Sequence, residues 1–556
     1  MSDTQINGTM LQGFSWNLPA DGQHWRRLGQ MADRLVSEGI TSVWMPPACK
    51  GQAGTLDVGY GVYDLWDLGE FDQKGTVPTK YGTRKEYASA VIALQQAGID
   101  VLADVVLNHK MGADASEEVM ARPVAADNRL YDMGEPETIE AWTKFTFPGR
   151  DGELDDFTWD ARHFKGVDYD AATGRGGVWL FDGKAWDSDV SHEYGNFDYL
   201  MGVDIDLNDE EVYDQLVRWG SWMVDATGVD GLRLDAVKHM SRDFYRRWLT
   251  DVRAAAGRDL FCVGEYWGFS VDDLLGYQGD RPVMSLFDVP LHFAFFRASV
   301  DRGSIDFAHL LDGAYVTADP VHAVTFVDNH DTQPNQALES TVQPWFKPVA
   351  YAIILLREAG YPCVFFADLF GLPNDAIPAV AELPLLMEVR RRFAYGAQHD
   401  YLDEADLAGW TREGLGEHGA DGVAVVLCNR TVEEDVPAED VSEGEDQESQ
   451  DAQDEARADE TGTDEAGDEA TEASEEPEPE PEPEPPAPVE PPAKDMYVGT
   501  QHAGETWRCV LGDVASCVIG DDGVGHFLAS ASQLAAVYLP EEAADRLDHI
   551  PIVVPR

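Results

Sequence analysis

The feature that most constrains the fold is an alternation, over roughly the first 390 residues, of short apolar runs rich in β-formers with amphipathic helical stretches. This rhythm is typical of βα units that build a parallel sheet. Eight such runs predict an α/β protein whose strands close into a (β/α)₈ TIM barrel, with the functional site at the strands' carboxyl ends. The runs are residues 10–16, 42–47, 101–108, 231–236, 261–266, 285–290, 324–329 and 362–368.

The rhythm fails once inside the barrel and stops near residue 398. Between Asn108 and Asp206, a stretch rich in Gly, Asp, Trp and Phe follows the third strand, and a structureless connection of that length is uncommon. After the barrel, short strands separated by turns take over. The predicted domains are a barrel, domain A, at 1–108 and 208–397, a loop-rich inserted domain B at 109–207, and a C-terminal all-β sandwich, domain C, at 398–556.

An acidic low-complexity segment interrupts the C-terminal domain at about 431–494. It contains 26 acidic and 2 basic residues, so it cannot bury enough apolar surface to fold, and it is predicted to be disordered. Its Glu-Pro repeat favours extended polyproline II, which would make that part a semi-rigid spacer. Two roles stay open for the segment: a solvated insert between two strands, or a docking tail for a partner.

The formal net charge of −63 limits the partners that the chain can bind. A phosphate backbone or an anionic membrane would be repelled, so we expect a neutral substrate and no nucleic-acid or membrane partner. Residues 1–7 (MSDTQIN) lack the basic stretch and apolar run of a signal peptide, and no apolar run approaches the roughly 20 residues that span a bilayer. We therefore expect a cytoplasmic protein, and we expect a monomer.

Charged residues stand where several predicted strands end. Side chains alternate along a strand, so Arg233 and Asp235 share the face that looks into the barrel, while Leu232 and Leu234 pack outward. Burying unpaired charges would cost several kcal/mol for each ion, so partners are required, and Asp104 on the neighbouring strand suits Arg233. Taken one at a time, these residues could equally form a purely structural ion-pair cluster.

Three carboxylates, Asp235, Glu265 and Asp331, end three different strands and are expected to converge at the mouth of the barrel. Such convergence of like charges is unfavourable unless it serves chemistry. Retaining cleavage of a glycosidic bond requires a carboxylate nucleophile and, about 5 Å away, a carboxylic acid whose pKa is raised by its surroundings. The neighbouring Tyr266, Trp267 and negative charges can supply such a shift, so these residues favour a glycoside hydrolase.

Four strand-end segments read, in chain order, DVVLNH, GLRLDAVKH, GEYW and FVDNHD, and they resemble the signature regions of the α-amylase family of glycoside hydrolases. Further stretches, among them NGTMLQGFSWNLP, DVGYGVYDLWDLGEF and GTVPTKYGT, are similar to the bacterial liquefying and intracellular members. The resemblance covers nearly the whole chain except the acidic segment. It implies an endo-acting enzyme that hydrolyses α-1,4-glucosidic bonds in starch, glycogen or maltodextrins with retention of configuration.

The same resemblance implies roles for individual residues. Asp235 would be the nucleophile, Glu265 the general acid and then base, and Asp331 the third carboxylate, which grips sugar hydroxyls and stabilises the oxocarbenium-like state. Arg233 would hold Asp235 ionised. The implied substrate-binding residues are Tyr60 as a stacking platform, His109 and His330 as donors to hydroxyls at the cleavage point, and Arg233, Lys238, His239 and Trp267.

Clustered aspartates in the predicted insert suggest a metal ion. Carboxylate and amide oxygens are hard donors suited to Ca²⁺, although the residues alone fit a solvated acidic loop as well. By resemblance, a calcium ion between barrel and insert is held by Asn108, Asp198, Asp204 and the backbone carbonyl of His239. A further metal cluster, known in some relatives, corresponds to Asp168, Asp187 and Asp206.

Two alternative functions stay open at the level of sequence. One is a family member that releases a single defined maltooligosaccharide or transfers glycosyl groups. The other is a non-catalytic glucan-binding protein, which is disfavoured because all three carboxylates are present.

Overall fold

The structure, a computed structural model, describes residues 7–301, 305–372, 377–416, 421–430 and 491–547. The predicted barrel is confirmed, because eight parallel strands pair side by side and close on themselves. Each strand begins within one residue of its predicted start but ends two to four residues earlier, where the chain enters the loops at the barrel's mouth. The barrel strands are Met10–Gln12, Ser42–Trp44, Asp100–Val105, Gly231–Leu234, Phe261–Gly264, Ser285–Phe287, Ala323–Phe326 and Tyr361–Phe365.

Helices follow the barrel strands, and several of them begin with a side-chain N-cap. The longest of the described helices, Glu210–Thr227, begins after Asp209, whose side chain accepts a hydrogen bond from the Glu211 backbone N–H. It ends at Gly228, which adopts the left-handed conformation that glycine reaches without strain. The helices up to residue 392 are His24–Gln30, Ala32–Ser37, Arg84–Gln96, Glu210–Thr227, Arg242–Ala256, Val271–Gln278, Val289–Val300, Tyr315–Ala318, Lys347–Leu356, Phe366–Phe370 and Leu383–Arg392.

The strand Gly231–Leu234 shows how the barrel sorts its side chains. Leu232 and Leu234 are buried in the apolar core, as the alternation predicted. Arg233 is completely buried as well, and its guanidinium carbon lies 4.7 Å from the centre of the Trp44 ring inside the barrel. One strand therefore contributes to an apolar layer on one face and to a charged interior on the other.

The insert after the third barrel strand is built around a six-stranded antiparallel sheet. The sequence predicted a loop-rich domain here and did not predict this sheet. Asp204 lies opposite His109 in this sheet, and the Ile205 N–H donates to the Asn108 carbonyl at 3.1 Å. The two ends of the insert therefore meet beside the barrel. In sheet order, its strands are His109–Lys110, Val203–Ile205, Phe164–Asp170, Arg175–Phe181, Ala115–Val124 and Glu137–Lys144; a separate pair, Lys50–Gly51 and Val62–Asp64, precedes them in the chain.

The C-terminal domain consists of two antiparallel sheets around a shared core, in agreement with the predicted sandwich. Met496 and Phe527 from the smaller sheet pack with Trp507 and Tyr538 from the larger one, and all four are fully buried. The larger sheet contains, in order, Gln398–Tyr401, Leu407–Arg412, Val423–Cys428, Ala535–Pro540, Thr506–Leu511 and Cys517–Val518. The smaller sheet pairs Ala493–Tyr497 with Val524–Leu528, and the helix Glu541–Leu547 follows.

The predicted acidic segment lies outside the described residues up to residue 490. Its last two residues belong to the strand Ala493–Tyr497, where the Lys494 ammonium forms an ion pair with Glu404 at 2.9 Å. None of the helices in the described ranges is both long and apolar enough to cross a lipid bilayer.

Candidate active site

Arg233 is the centre of the charged barrel interior. Its Nη1 lies 2.9 Å from Asp104 Oδ1 and 2.6 Å from Asp235 Oδ1, and its Nη2 lies 2.8 Å from Glu265 Oε2. A completely buried guanidinium needs such compensation, because the desolvation of an isolated charge would cost several kcal/mol. The expected Asp104–Arg233 pair is present, and one side chain joins it to two of the three predicted catalytic carboxylates.

Backbone hydrogen bonds fix where Asp235 and Glu265 stand just beyond the ends of their strands. The Asp235 N–H donates to the Val105 carbonyl and the Glu265 N–H to the Leu234 carbonyl, both at 2.9 Å. Ala236 turns the chain with a φ of 50°, the left-handed region that a non-glycine residue rarely adopts. In this turn its N–H donates to Glu265 Oε2 at 3.1 Å, so the strained residue orients a carboxylate.

Asp331 joins the group from the turn after the strand Ala323–Phe326. Its N–H donates to Asn329 Oδ1 at 2.9 Å, and its Oδ2 lies 3.4 Å from His330 Nε2. Burial raises the pKa of Asp331 well above its ordinary value, and the charge of Glu265 acts in the same direction. Its side chain is 23% exposed, more than those of Asp235 and Glu265, so the three carboxylates meet with Asp331 on the open side.

Two carboxylates of this group, those of Asp235 and Asp331, have raised pKa values and so retain protons more tightly than isolated ones. Burial raises the pKa of Asp235 to about 7, and the charges of Glu265 and Asp104 add to the rise while Arg233 opposes it. Interacting acids titrate as a group rather than one by one. The group can therefore hold a proton near neutral pH, as a site for general acid catalysis requires.

Three aromatic rings form a flat wall beside the carboxylates. The Tyr60 ring lies 5.1 Å from the His330 ring at an interplanar angle of 17°, and 6.1 Å from the Trp16 ring at 5°. The Tyr60 hydroxyl donates to Asp104 Oδ2 at 2.8 Å, which fixes the ring. Sequence reasoning missed Trp16, although an aromatic residue at the end of the first predicted run was the available signal.

Gln12 was also missed, and it sets the state of His330. Gln12 Nε2 and His330 Nδ1 are 2.9 Å apart, and an amide nitrogen only donates, so Nδ1 accepts and the proton of the neutral ring is on Nε2. Burial lowers the pKa of His330 well below its ordinary value, and the nearby Arg233 charge acts in the same direction. His330 is therefore a neutral donor whose Nε2–H faces Asp331.

His109 stands behind the aromatic wall. Its Nε2 lies 2.9 Å from the Tyr60 carbonyl, so the ring donates to the backbone of the residue that carries the platform. Its Nδ1 is buried and has no hydrogen-bond partner in the described part of the chain. Burial lowers the pKa of His109, so the ring is neutral. The single N–H donor of the His109 ring thus binds the Tyr60 carbonyl. The resemblance implied that His109 donates to a sugar hydroxyl, and that role stays a prediction.

The barrel and the insert are connected by polar contacts of Lys238, His239 and Trp267. The Lys238 ammonium donates to the Trp267 carbonyl at 2.7 Å and lies 3.0 Å from Glu193 Oε1. His239 Nδ1 is 2.7 Å from the Phe197 carbonyl, and burial lowers the pKa of His239 to about 3. These side chains border the site but have partners within the protein, so their contacts with substrate stay predictions.

One of the residues predicted to hold calcium has a buried carboxylate oxygen without a hydrogen-bond partner in the described ranges. Asp204 Oδ2 is buried without a hydrogen-bond partner among the described residues, and so is the amide nitrogen of Asn108. Burial raises the pKa of Asp198 to about 6 and that of Asp204 well above its ordinary value. The Lys165 ammonium contacts Asp198 but leaves Asp204 Oδ2 without a direct partner in the part of the chain that the structure describes, and the hard oxygen donors of this pair suit Ca²⁺.

The second predicted metal set is arranged differently. The Lys165 ammonium lies 2.8 Å from Asp187 Oδ2 and 2.7 Å from Asp198 Oδ2, and the Lys184 ammonium lies 2.6 Å from Asp206 Oδ2. Asp168 is solvent-exposed. Within the described ranges, no group of three or more His, Cys, Asp or Glu side chains is arranged to hold a metal ion. The structure therefore does not bring Asp168, Asp187 and Asp206 together around one ion.

Fold and site define a (β/α)₈ barrel with a group of acidic side chains at the strands' carboxyl ends, as in barrel glycoside hydrolases. The model of the α-amylase catalytic domain matches residues 30–457. The α-amylase of Geobacillus stearothermophilus is 49% identical over 426 residues, which cover 76% of this chain and 77% of that protein. The chain belongs to the α-amylase family, as the strand-end segments indicated.

One further relative supports this assignment, and one solved structure supports the fold. The cytoplasmic α-amylase of Escherichia coli (strain K12) is 43% identical over 440 residues, covering 76% of this chain and 88% of that protein. The crystal structure of the α-amylase from Geobacillus thermoleovorans complexed with acarbose superposes with a TM-score of 0.56 at 15% identity, covering 96% of this chain and 97% of that one. At that identity the structural match speaks for the fold alone.

Proposed function

We propose that this protein is an endo-acting α-amylase that hydrolyses internal α-1,4-glucosidic bonds with retention of configuration. The observation that carries the proposal is the bridge that Arg233 makes between Asp235 and Glu265, with Asp331 facing the same space. Retaining chemistry needs two carboxyl groups close together, and a shared guanidinium holds them so.

In the first step, the Asp235 carboxylate attacks the anomeric carbon while Glu265 gives its proton to the glycosidic oxygen. The carbon–oxygen bond breaks, one glucan segment leaves as an alcohol, and the other becomes an ester of Asp235. Arg233 binds Oδ1 of Asp235, so Oδ2 is the oxygen that attacks. The same ion pair favours the ionised form against the burial that opposes it.

In the second step, Glu265 acts as the base. Its carboxylate takes a proton from water, the hydroxide oxygen attacks the anomeric carbon, and the ester bond to Asp235 breaks. Two inversions at the same carbon give net retention. Asp331 is placed to accept hydrogen bonds from sugar hydroxyls, and its negative charge favours the positive character that the sugar ring develops.

The aromatic wall fits a neutral carbohydrate. Trp16 and Tyr60 present parallel ring faces beside the carboxylates, and the apolar face of a glucose ring packs on such surfaces. The Nε2–H of His330 supplies a neutral donor at the same place. Starch, glycogen and maltodextrins all offer these features, and the net charge of −63 disfavours a polyanionic substrate such as nucleic acid.

We further propose that the insert binds Ca²⁺ through Asn108, Asp198, Asp204 and the His239 carbonyl. The unpartnered Asp204 Oδ2 supports this assignment. When bound, the ion supplies positive charge to buried carboxylates and ties the insert to the barrel. Its effect on activity is indirect, because Lys238 and His239 connect the same insert to the segment that carries Asp235.

A cytoplasmic location is supported by the Escherichia coli relative, whose name states that location. The monomeric state and the absence of membrane partners stay predictions.

The proposed activity is tested by incubating the protein with soluble starch while oligosaccharide products and anomeric configuration are followed together. We expect a mixture of oligosaccharides from the earliest times, each released as the α-anomer. Initial release of the β-anomer would contradict Asp235 as nucleophile. A single dominant early oligosaccharide would favour the maltooligosaccharide-forming alternative, and glucan binding without products would favour the non-catalytic one.

A further inference from the structure

Lys165 lies inside the acidic group of the insert. It is the second residue of the strand Phe164–Asp170, and its side chain is 1% exposed. Its ammonium lies 2.8 Å from Asp187 Oδ2 and 2.7 Å from Asp198 Oδ2. The Asp187 N–H also donates to Asp198 Oδ2 at 2.7 Å. A single buried cation from the chain therefore bridges two aspartates that come from a different part of the insert.

The position of this ammonium matters because its two partners belong to the two different predicted metal sets. Asp198 was assigned to the calcium between barrel and insert, and Asp187 to a further metal cluster. A second metal ion in this group would have to coordinate the oxygen atoms that Lys165 already contacts. A metal ion on the same oxygens would stand within a few ångströms of the ammonium, and the repulsion between the two positive charges in a desolvated site disfavours it.

One oxygen in the group lacks a partner within the described residues. Asp204 is 1% exposed, and its Oδ2 has no hydrogen bond. Lys165 engages Asp187 and Asp198 but makes no ion pair with Asp204. The Lys165 charge acts on Asp204 through space but leaves Asp204 Oδ2 without a direct partner among the residues described, so the group offers a place for one metal ion rather than for two.

We propose that Lys165 is a built-in cation that replaces a second metal ion, so that the insert binds one divalent cation, through Asp204, and not a multi-ion cluster. This inference rests on the proposed calcium site but not on the hydrolytic activity. A tethered ammonium cannot be removed by a chelator, so the bridge between Phe164–Asp170 and the Asp187 and Asp198 segment persists without metal. Only the junction at Asp204 depends on the ion.

The test counts the metal ions that remain on the full chain after incubation with Ca²⁺ and gel filtration, measured by elemental analysis. We expect one calcium ion per chain for the unaltered protein. The variant Lys165→Met removes the charge and keeps the aspartates, and Lys165→Asp adds an oxygen donor. Each variant is expected to retain one ion more than the unaltered protein. In chelator, each should melt at least 5 °C below the unaltered protein, and added calcium should restore most of that difference.

The matched control is Lys184→Met. It removes an ammonium that contacts a single aspartate oxygen at a partly exposed position, so the number of retained ions should not change. Two or more retained ions in the unaltered protein would overturn the proposal. So would a Lys165→Met protein with unaltered ion count and unaltered response of its melting temperature to calcium.

The outcomes separate this proposal from the one on which it rests. If the unaltered protein retains no ion, the proposed calcium site fails, and one ion gained by both Lys165 variants would still support the replacement role. If neither variant folds, the ion count of the unaltered protein decides alone: one ion supports the proposal and two or more overturn it.

Discussion

Two buried cations organise the two halves of the functional region, Arg233 in the barrel and Lys165 in the insert. Both are almost fully buried, and both lie between carboxylates. Around Arg233 the group stays open, since Asp331 is 23% exposed and faces the aromatic wall. Around Lys165 it is closed, since Asp187 and Asp198 are 6% and 2% exposed. The same ingredients therefore give a reactive site or a structural clamp, depending on whether a carboxylate oxygen remains reachable.

The choice of cation follows the same difference. A guanidinium is a planar fork with several donors in fixed directions, so Arg233 can position three carboxylates at once and hold them in a defined geometry. An ammonium is a compact point charge, closer in shape to a metal ion. A reactive site requires the guanidinium of Arg233, because the orientation of each carboxylate oxygen matters there. Neutralising the acidic group of the insert requires only the positive charge of Lys165.

The variant Glu265→Gln gives the largest expected effect and tests whether the group around Arg233 is the reactive one. The amide keeps the shape of the side chain but has no proton to give, so kcat should fall by about 10² to 10⁴-fold while glucan binding and melting temperature change little. Starch hydrolysis and binding to immobilised glucan measure the two effects. Glu210→Gln, on an exposed helix turn, is the matched control. Substantial residual turnover by the Glu265 variant would refute its role as the acid.

Removal of calcium should affect the insert and leave the barrel cluster intact. A ligand that binds only the folded state at about 10² to 10³ times its dissociation constant stabilises by roughly 3 to 4 kcal/mol. Chelation should therefore lower the melting temperature by several degrees, and added Ca²⁺ should restore it. Differential scanning calorimetry with and without chelator checks this. An identical melting curve under both conditions would remove the calcium proposal.

The variant Arg233→Lys sharpens the difference between fork and point charge. Because the pKa of Asp235 is raised to about 7, mainly by burial, its reactive ionised form is lost as the pH falls, so kcat/KM of the unaltered enzyme should decline below about pH 7. A lysine ammonium has three donors but lacks the fixed fork of the guanidinium, so it would not hold the three carboxylates in the same orientations. We expect kcat/KM to drop about 10²-fold and the acidic limb to move to higher pH.

The readout for that variant is the full pH profile of kcat/KM. A profile that keeps its acidic limb in place, with only a uniform loss of activity, would show that Arg233 does not tune the ionisation of Asp235.

The smallest expected effect concerns Gln12, which acts on the barrel site through His330. Gln12→Leu removes the hydrogen bond to Nδ1, so the neutral ring is free to carry its proton on either nitrogen. We expect kcat/KM to fall about tenfold, the equivalent of one hydrogen bond. Nitrogen chemical shifts of His330 report the tautomer, and an unchanged shift pattern would contradict the positioning role.

The barrel could be predicted from sequence because its strands are continuous apolar runs. The ends of the strands could not be predicted, because the strand-like sequence pattern runs on to residues such as Asp235 and Glu265, beyond the last hydrogen-bonded pairs of the sheet. The three carboxylates were identifiable because charge at a strand end is unusual. Domain boundaries and residue roles beyond this geometry stay predictions.

Other features gave little or no sequence signal. The strands of the insert carry polar residues on one face, as in Ala115–Val124, so its sheet was read as loops. Gln12 sits in a short apolar run and looks like any strand residue, and Lys165 stands in a half-polar strand far along the chain from Asp187. Their importance comes from partners that only the folded chain brings near.

The left-handed turn at Ala236 has a stereochemical consequence. The distance between the two reacting carboxyl groups decides whether a glycosidase retains or inverts the sugar's configuration. For the proposed pair Asp235 and Glu265, main-chain N–H groups fix the position of Glu265: its own N–H donates to the Leu234 carbonyl, and the Ala236 N–H donates to its Oε2. If the pair acts as proposed, the anomeric configuration of the product depends on the backbone of two adjacent strands, which substitutions of surface side chains leave unchanged.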